Sequence, residues 1–142
     1  MAVDAALRVL FVTPEVAPWV KTGGLGEVAQ GLPSALAAAG AQVRLLVPAY
    51  PALRAAFPQA RAVADFPAPG GALPPARLLE APGAPPLWLL DCPSLFERAG
   101  NPYQSPQRED WPDNDLRFGL LSRVAALLAG DASPLDWRPD VV

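Results

Sequence analysis

The fold is decided by the stretch Leu7-Arg8-Val9-Leu10-Phe11-Val12-Thr13, which is brought to an end by Pro14. Its residues are mostly apolar or β-branched and do not alternate with polar ones, which is typical of a strand buried on both faces of a sheet. Proline cannot donate a ladder hydrogen bond, so it suits the end of such a strand. The stretch therefore predicts a first, central strand.

A helix is predicted after this strand, between Leu25 and Ala39. Apolar residues recur there at helical spacing, and Gly40 marks a C-terminal stop. Pro33 lies inside the pattern and predicts a bend or a restart of the helix. The residues expected on the buried face are Leu25, Val28, Ala29, Leu32, Leu36 and Ala39.

A second buried strand is predicted at Gln42–Pro48, which completes a β-α-β unit with parallel strands. Residues 66–86 are rich in proline and predict a stiff excursion, with short strands expected beside it at Arg77–Glu80 and Leu87–Asp91. Residues 99–112 are polar and rich in turn formers. The fold class predicted is α/β, with a Rossmann-like parallel sheet flanked by helices.

A second helix is predicted to begin after Asp113 or Asn114, either of which can cap it, and to end at Gly130. Val141-Val142 is typical of the opening of another buried strand, so we expect a truncated polypeptide. The apolar face expected for this helix consists of Leu116, Leu120, Val124, Leu127 and Leu128.

The composition excludes several classes of function. A chain of 142 residues that is 51% hydrophobic can form one domain with a core. Its net charge of −3, with the charges scattered, argues against a nucleic-acid or anionic-membrane partner. One cysteine and no histidine leave no internal disulfide and no usual zinc site. The first six residues do not resemble a secretory signal, and no apolar run reaches membrane-spanning length, so a cytoplasmic location is expected.

Lys21 is the only lysine beside ten arginines, and it opens the run Lys21-Thr22-Gly23-Gly24. This run lies between the first strand and the first helix, at the edge where open parallel sheets bind ligands. A flexible ammonium, two glycines and a helix N-terminus together favour an anion such as a phosphate. The alternative is a solvated surface charge next to an ordinary glycine turn.

The run Gly24-Leu25-Gly26-Glu27-Val28-Ala29 matches the glycine spacing of the dinucleotide-binding fingerprint. That fingerprint needs its first glycine directly after the strand, but ten residues separate Thr13 from Gly24. The second predicted strand is also followed by no acid that could bind a ribose. The matching spacing therefore does not indicate a nicotinamide or flavin enzyme.

A longer signature surrounds Lys21: Glu15-Val16-Ala17-Pro18-Trp19-Val20-Lys21-Thr22-Gly23-Gly24-Leu25, which directly follows the predicted strand. It resembles the N-terminal signature of bacterial glycogen synthases and plant starch synthases. The resemblance continues through Arg44–Tyr50, Asp113–Phe118 and Trp137–Val142, and it is weakest over residues 52–86. It covers nearly the whole chain.

This resemblance implies the incomplete N-terminal half of a two-domain glycosyltransferase of the GT-B type. Such an enzyme transfers glucose from ADP-glucose to the non-reducing end of glycogen or another α-1,4-glucan with retention, and it needs no metal or other cofactor. The donor-site residues implied are Lys21, Thr22, Gly23, Gly24 and Glu27, the last standing where the family usually has aspartate. No catalytic residue is assigned within the chain. Since both domains form the cleft, the chain alone is expected to be inactive.

Two other functions stay open at this point. The chain could belong to a GT-B transferase that uses another sugar nucleotide, or it could be a non-catalytic fragment that binds a glucan or a nucleotide. Trp19, Tyr103 and Trp111 have rings that suit sugar faces, although core packing or a lid over the lysine loop is the better explanation for each. Glu27 could instead favour the helix dipole, and Glu15 could brace the lysine loop. A helix cap, and a surface or paired arginine, account for Asp113, Asn114 and Arg117.

Overall fold

The computed structural model describes residues 5–142, so part of the N-terminal sequence used to argue against a signal peptide lies outside the described residues. One five-stranded sheet is flanked by helices. In chain order the elements are β1 (Arg8–Val12), α1 (Gly24–Ala38), β2 (Gln42–Pro48), α2 (Pro51–Ala56), β3 (Arg61–Phe66), β4 (Ala76–Ala81), β5 (Leu87–Asp91), α3 (Pro93–Phe96) and α4 (Asn114–Ala129).

The strands are ordered β1-β2-β5-β4-β3. β1 pairs with β2 and β2 with β5 in parallel, as the β-α-β unit predicts. β4 pairs antiparallel with both β5 and β3, so the α/β class is confirmed but the sheet is mixed instead of wholly parallel. The connections over residues 67–75 and 82–86 are too short for a parallel crossover, which explains the change of direction.

The core lies on both faces of β2, which is an inner strand. β1, predicted as central, instead lies at the edge of the described sheet, apart from a single bridge to Val141. Leu45, Leu46 and Val47 are consecutive, and their exposures are only 3%, 0% and 0%. Consecutive burial requires cover on both sides of the sheet. α1 packs on β2, and α4 packs on β1 and β2.

Helix α1 departs from prediction in two respects. It continues through Pro33 without a restart. Its expected buried face is wrong in part, because Leu25, Val28 and Leu32 are 47%, 49% and 45% exposed. The residues that α1 buries are instead the compact Gly26, Ala29 and Pro33. Their small size allows α1 to approach the adjacent segments of the same polypeptide closely.

The second half of the chain agrees with prediction at β4, β5 and α4. Strand β3 and the short helices α2 and α3 were not predicted. Asp113 precedes α4 but makes no side-chain cap, since its carboxylate binds Arg98 instead. Val141 pairs in parallel with Val9 of β1, but it is 48% exposed, so the predicted pairing is present without the predicted burial.

No helix within residues 5–142 combines the length and apolar character needed to cross a membrane.

Candidate functional site

Glu15 is a buried carboxylate at the centre of the loop between β1 and α1. It is 1% exposed. Its Oε1 accepts the Gly26 N–H at 2.9 Å, while its Oε2 accepts the Thr22 hydroxyl at 2.8 Å and the Tyr103 hydroxyl at 2.9 Å. Burial opposes ionisation, but these hydrogen bonds outweigh it and lower the pKa of Glu15. The expectation that Glu15 braces the lysine loop is confirmed.

Gly26 is where helix α1 touches the loop most closely. A Cβ atom at this position would lie 2.7 Å from the Lys21 Cβ and 3.3 Å from the Lys21 Cα. Real Cβ atoms essentially never make so short a contact, so any larger residue would displace Lys21. Glycine at position 26 therefore sets where Lys21 lies.

Lys21 and Glu27 form an ion pair on the surface, with Nζ and Oε1 2.5 Å apart. Their side chains are 42% and 65% exposed, so both remain accessible to a ligand. The hydrogen bond from Lys21 lowers the pKa of Glu27, and the nearby positive charge adds to this effect. The pair holds the ammonium beside the first turn of α1.

Gly23 and Gly24 lie between these charged groups. A Cβ atom at either position would meet no atom within 4 Å, so neither glycine is required by packing within the described residues. The first turn of a helix has N–H groups without partners inside the helix. Of these, the Gly26 N–H is bound by Glu15, whereas the Cβ side of Gly24 is uncrowded.

A cavity of about 310 Å³ adjoins Lys21. Its other walls include Tyr50 and Ala52 from the start of α2, the segment 98–102, and Arg117 from α4. The segments that follow the carboxyl ends of β1 and β2 form two of these walls. Ligand sites in open α/β sheets lie at this edge.

Two arginines, Arg98 and Arg117, line the cavity on walls other than the one formed by Lys21. Arg98 binds Asp113 with two hydrogen bonds of 2.8 and 2.7 Å, and this pairing lowers the pKa of the carboxyl. Arg117 is 1% exposed, so the prediction of a surface arginine is wrong. It is held by hydrogen bonds instead of an ion pair, because its guanidinium binds the carbonyls of Leu95 and Pro102 and the side chain of Asn114.

Comparison with known proteins decides the family. A family model described as starch synthase catalytic domain matches residues 8–142. The chain belongs to the starch synthase catalytic domain family.

Individual proteins similar to this chain have names that agree with the family. The glycogen synthase of Dechloromonas aromatica (strain RCB) is 59% identical over 139 residues, which are 97% of this chain and 29% of that protein. The glycogen synthase of Aromatoleum aromaticum is 57% identical, again over 97% of this chain and over 28% of that protein. The chain thus spans less than a third of the length of these relatives, and the resemblance seen in its sequence is confirmed.

A solved structure also resembles this synthase-family chain. It is the catalytic domain of Starch Synthase IV from Arabidopsis thaliana, bound to ADP and acarbose. The match has a TM-score of 0.64 at 27% identity, and it covers 87% of this chain and 26% of that one.

The five donor-site residues expected in the synthase-family chain lie in one loop and the first turn of α1. The Thr22 hydroxyl points to Glu15, so it braces the loop. No group of three or more His, Cys, Asp or Glu within residues 5–142 is arranged to hold a metal ion.

Sequence reasoning missed the partners of this loop in the synthase-family chain. Tyr103 reaches Glu15 across 88 positions, and no local pattern signals that contact. Arg117 was predicted to be a surface or paired arginine, but it is buried and held by backbone carbonyls and Asn114. Trp111 stacks on Arg98 at 4.8 Å, whereas Trp19 is 38% exposed and packs edge-on against Phe57.

Proposed function

We propose that this chain forms part of the donor site of a glycogen synthase, which transfers glucose from ADP-glucose to the non-reducing end of an α-1,4-glucan with retention of configuration. Family membership and the names of the relatives support this proposal. The solved relative bound to ADP and acarbose supports a nucleotide and a saccharide ligand. The observation that carries it is the exposed Lys21, braced beside two uncrowded glycines at the start of α1.

The leaving diphosphate is the group that these residues would stabilise. As the glycosidic bond to ADP breaks, negative charge develops on the phosphate oxygens. Lys21 would donate to these oxygens, and backbone N–H groups near Gly23 and Gly24 would add to the stabilisation. Interactions that strengthen with this charge lower the barrier instead of only tightening substrate binding.

Glu27 would act on Lys21 before the donor binds. It orients the ammonium in the free protein. An incoming diphosphate competes for the same ammonium, and the carboxylate is then free to accept hydrogen bonds from hydroxyl groups of the sugar. Glu27 is longer by one methylene than the aspartate usual in the family, so this second role is a proposal separate from that of Lys21.

The 142-residue chain by itself is proposed to be inactive in glucosyl transfer. We assign it to the N-terminal domain of a GT-B enzyme, an assignment supported by a match that spans only 29% of the Dechloromonas relative. Transfer requires donor and acceptor to be held in one cleft, and loss of one wall removes most of the stabilisation. A cytoplasmic location also stays a prediction, which fractionation of the source cells would test.

The test is calorimetric titration of the chain with ADP-glucose and UDP-glucose. Lys21→Met is expected to weaken ADP-glucose binding by about 10-fold to 100-fold, the range for a hydrogen bond to a charged group. The matched control is Arg138→Met, because Arg138 is also 42% exposed and paired with an acid, Asp131. Equal affinities for Lys21→Met and Arg138→Met would refute the role of Lys21.

The competing functions give different results in the same titration. Preference for UDP-glucose would indicate a transferase that uses another donor. Binding of maltooligosaccharide without any nucleotide binding would indicate a glucan-binding fragment.

A further inference from the structure

One nitrogen of the Arg117 guanidinium has no acceptor among residues 5–142. Its Nε donates to the Leu95 carbonyl at 2.7 Å, and its Nη1 donates to Pro102 at 2.8 Å and to Asn114 at 2.7 Å. Its Nη2 donates to no acceptor among the described residues. This atom is nearly enclosed, since Arg117 is 1% exposed as a whole, but it is not among the fully buried unpartnered atoms, and Arg117 forms part of the wall of the 310 Å³ cavity. Nη2 is therefore the guanidinium nitrogen left to donate to a ligand in the cavity.

The charge of Arg117 is also incompletely compensated, because Asp113 acts on it only from beyond ion-pair distance. The other two cations on the cavity wall are neutralised locally, Lys21 by Glu27 and Arg98 by Asp113. No carboxylate within residues 5–142 lies within ion-pair distance of Arg117. Glu15 is buried nearby, but both of its oxygens are bound to other donors.

Aromatic rings add further electrostatic support to the Arg117 guanidinium. Its guanidinium lies 5.6 Å from the ring centre of Phe96 and 5.4 Å from that of Phe118. Such contacts attract a cation more weakly than a carboxylate does. Burial also lowers the pKa of Arg117. A buried, incompletely compensated cation favours an anion that can reach it.

We propose that this cavity binds a phosphate-class oxyanion, with Arg117 Nη2 donating to it from the inner wall and Lys21 approaching it from the loop. Guanidinium groups match the oxygens of a phosphate in geometry as well as in charge. The cavity volume is near the lower limit for small-molecule sites, which suits one or two phosphate groups better than a whole nucleotide.

The phosphate can come from two sources. One is the diphosphate of the sugar nucleotide, and for this source the inference rests on the proposed function. The other is free phosphate or pyrophosphate, which needs no nucleotide site. The chemistry is shared, so the experiment titrates inorganic pyrophosphate, ADP and ADP-glucose separately.

The mutation that tests the charge is made on the cavity rim. Replacing Arg117 itself removes three hydrogen bonds and is expected to unfold the chain. Ala52 is exposed on α2 and lines the cavity, so Ala52→Glu brings a negative charge to its mouth without altering the core. Ala55 is exposed on the same helix and does not line the cavity, so Ala55→Glu is the matched control.

Binding is measured by calorimetry and by the ¹⁵N resonances of the Arg117 guanidinium. Pyrophosphate is expected to bind one to one and to shift the Arg117 signals. Ala52→Glu is expected to weaken it by roughly threefold to tenfold relative to Ala55→Glu, as a like charge across a partly hydrated cavity would. No binding at about 10 mM pyrophosphate, a limit corresponding to very weak affinity, overturns the proposal. Unchanged Arg117 signals or equal affinities of the two variants also overturn it.

The nucleotide titrations separate the two proposals. Pyrophosphate binding with the Arg117 shift, but no binding of ADP-glucose, supports the oxyanion site and refutes the donor site. ADP-glucose binding that depends on Lys21 but leaves the Arg117 signals unmoved supports the donor site and refutes the oxyanion site. Competition between pyrophosphate and ADP-glucose, with Arg117 shifted by both, identifies the donor diphosphate as the source.

Discussion

Replacement of Gly26 by alanine tests whether α1 positions the lysine loop. The new Cβ would lie 2.7 Å from the Lys21 Cβ, 3.3 Å from the Lys21 Cα and 3.4 Å from Glu15 Oε1. Ordinary contact begins at 3.4 Å, so Lys21 must move by about 0.7 Å. The clash involves the root of the side chain and the backbone, so a rotamer change of Lys21 cannot relieve it.

The expected effect combines two opposing terms. Overpacking of this kind typically costs about 1 to 3 kcal/mol. Alanine is a better helix former than glycine by up to about 1 kcal/mol. Gly31 is in the same helix, and a Cβ there would meet nothing within 4 Å, so Gly31→Ala isolates the second term. The two variants should therefore differ in unfolding free energy by about 1 to 3 kcal/mol, with Gly26→Ala the less stable.

Urea denaturation followed by tryptophan fluorescence measures both variants against the parent chain. The unfolding free energies are compared only if both variants show the same dependence of free energy on urea concentration. A different dependence would mean that the compactness of the unfolded or native state had changed. If Gly26→Ala is as stable as Gly31→Ala, the close approach between α1 and Lys21 does not exist in solution. The account of how Lys21 is held would then be wrong.

Three further outcomes are expected. Folding lowers the pKa of Glu15, so the stability that its carboxylate contributes is complete above the ordinary pKa of about 4.3 and is lost as the pH falls below that value. In urea titrations, Glu15→Gln should therefore lose less stability between pH 7 and pH 3 than the parent chain does. An unchanged pH dependence would contradict this. Gly100→Ala should lower the unfolding free energy by at least about 2 kcal/mol, because φ at Gly100 is 107° and a Cβ would lie 2.2 Å from the Gln104 carbonyl oxygen; a loss below about 0.5 kcal/mol would refute that loop geometry. Leu32→Lys should change stability by no more than about 0.5 kcal/mol in the same assay, because Leu32 is 45% exposed, and a larger loss would mean that this face is packed in solution.

The regular elements were predictable where one local pattern is strong. β2 has the bounds expected, and α4 begins and ends within the expected caps. β3 was missed because the expected period-2 alternation is weak in its sequence, Arg61–Phe66, and a bulge between Ala62 and Ala64 interrupts its pairing with β4. The mixed direction of the sheet follows from the short connections, which are visible only once the strands are known.

The candidate site was predictable only in its local part. Lys21 and its glycines stand together in sequence, and their position after a strand indicates a ligand edge. Apolar residues at helical spacing usually form the buried face of a helix, but in α1 that face is largely exposed. The face that carries Gly26 and Ala29 is buried instead, because these small residues allow tight packing. The burial of Arg117 depends on carbonyls 22 and 15 positions away, a relation that one sequence does not encode locally.

The carboxylate of Glu15 ties together two loops that lie far apart in the chain, and this has a dynamic consequence. If the loop carrying Tyr103 opens, Glu15 loses one of its donors while its charge stays largely surrounded by protein, and movement of the Gly26 turn has the same effect. Opening either loop alone is therefore costly, so the two should open as one cooperative unit. In hydrogen exchange, the amides of Gly26 and Gln104 should report a common opening free energy, and a ligand bound by one loop should slow exchange in the other.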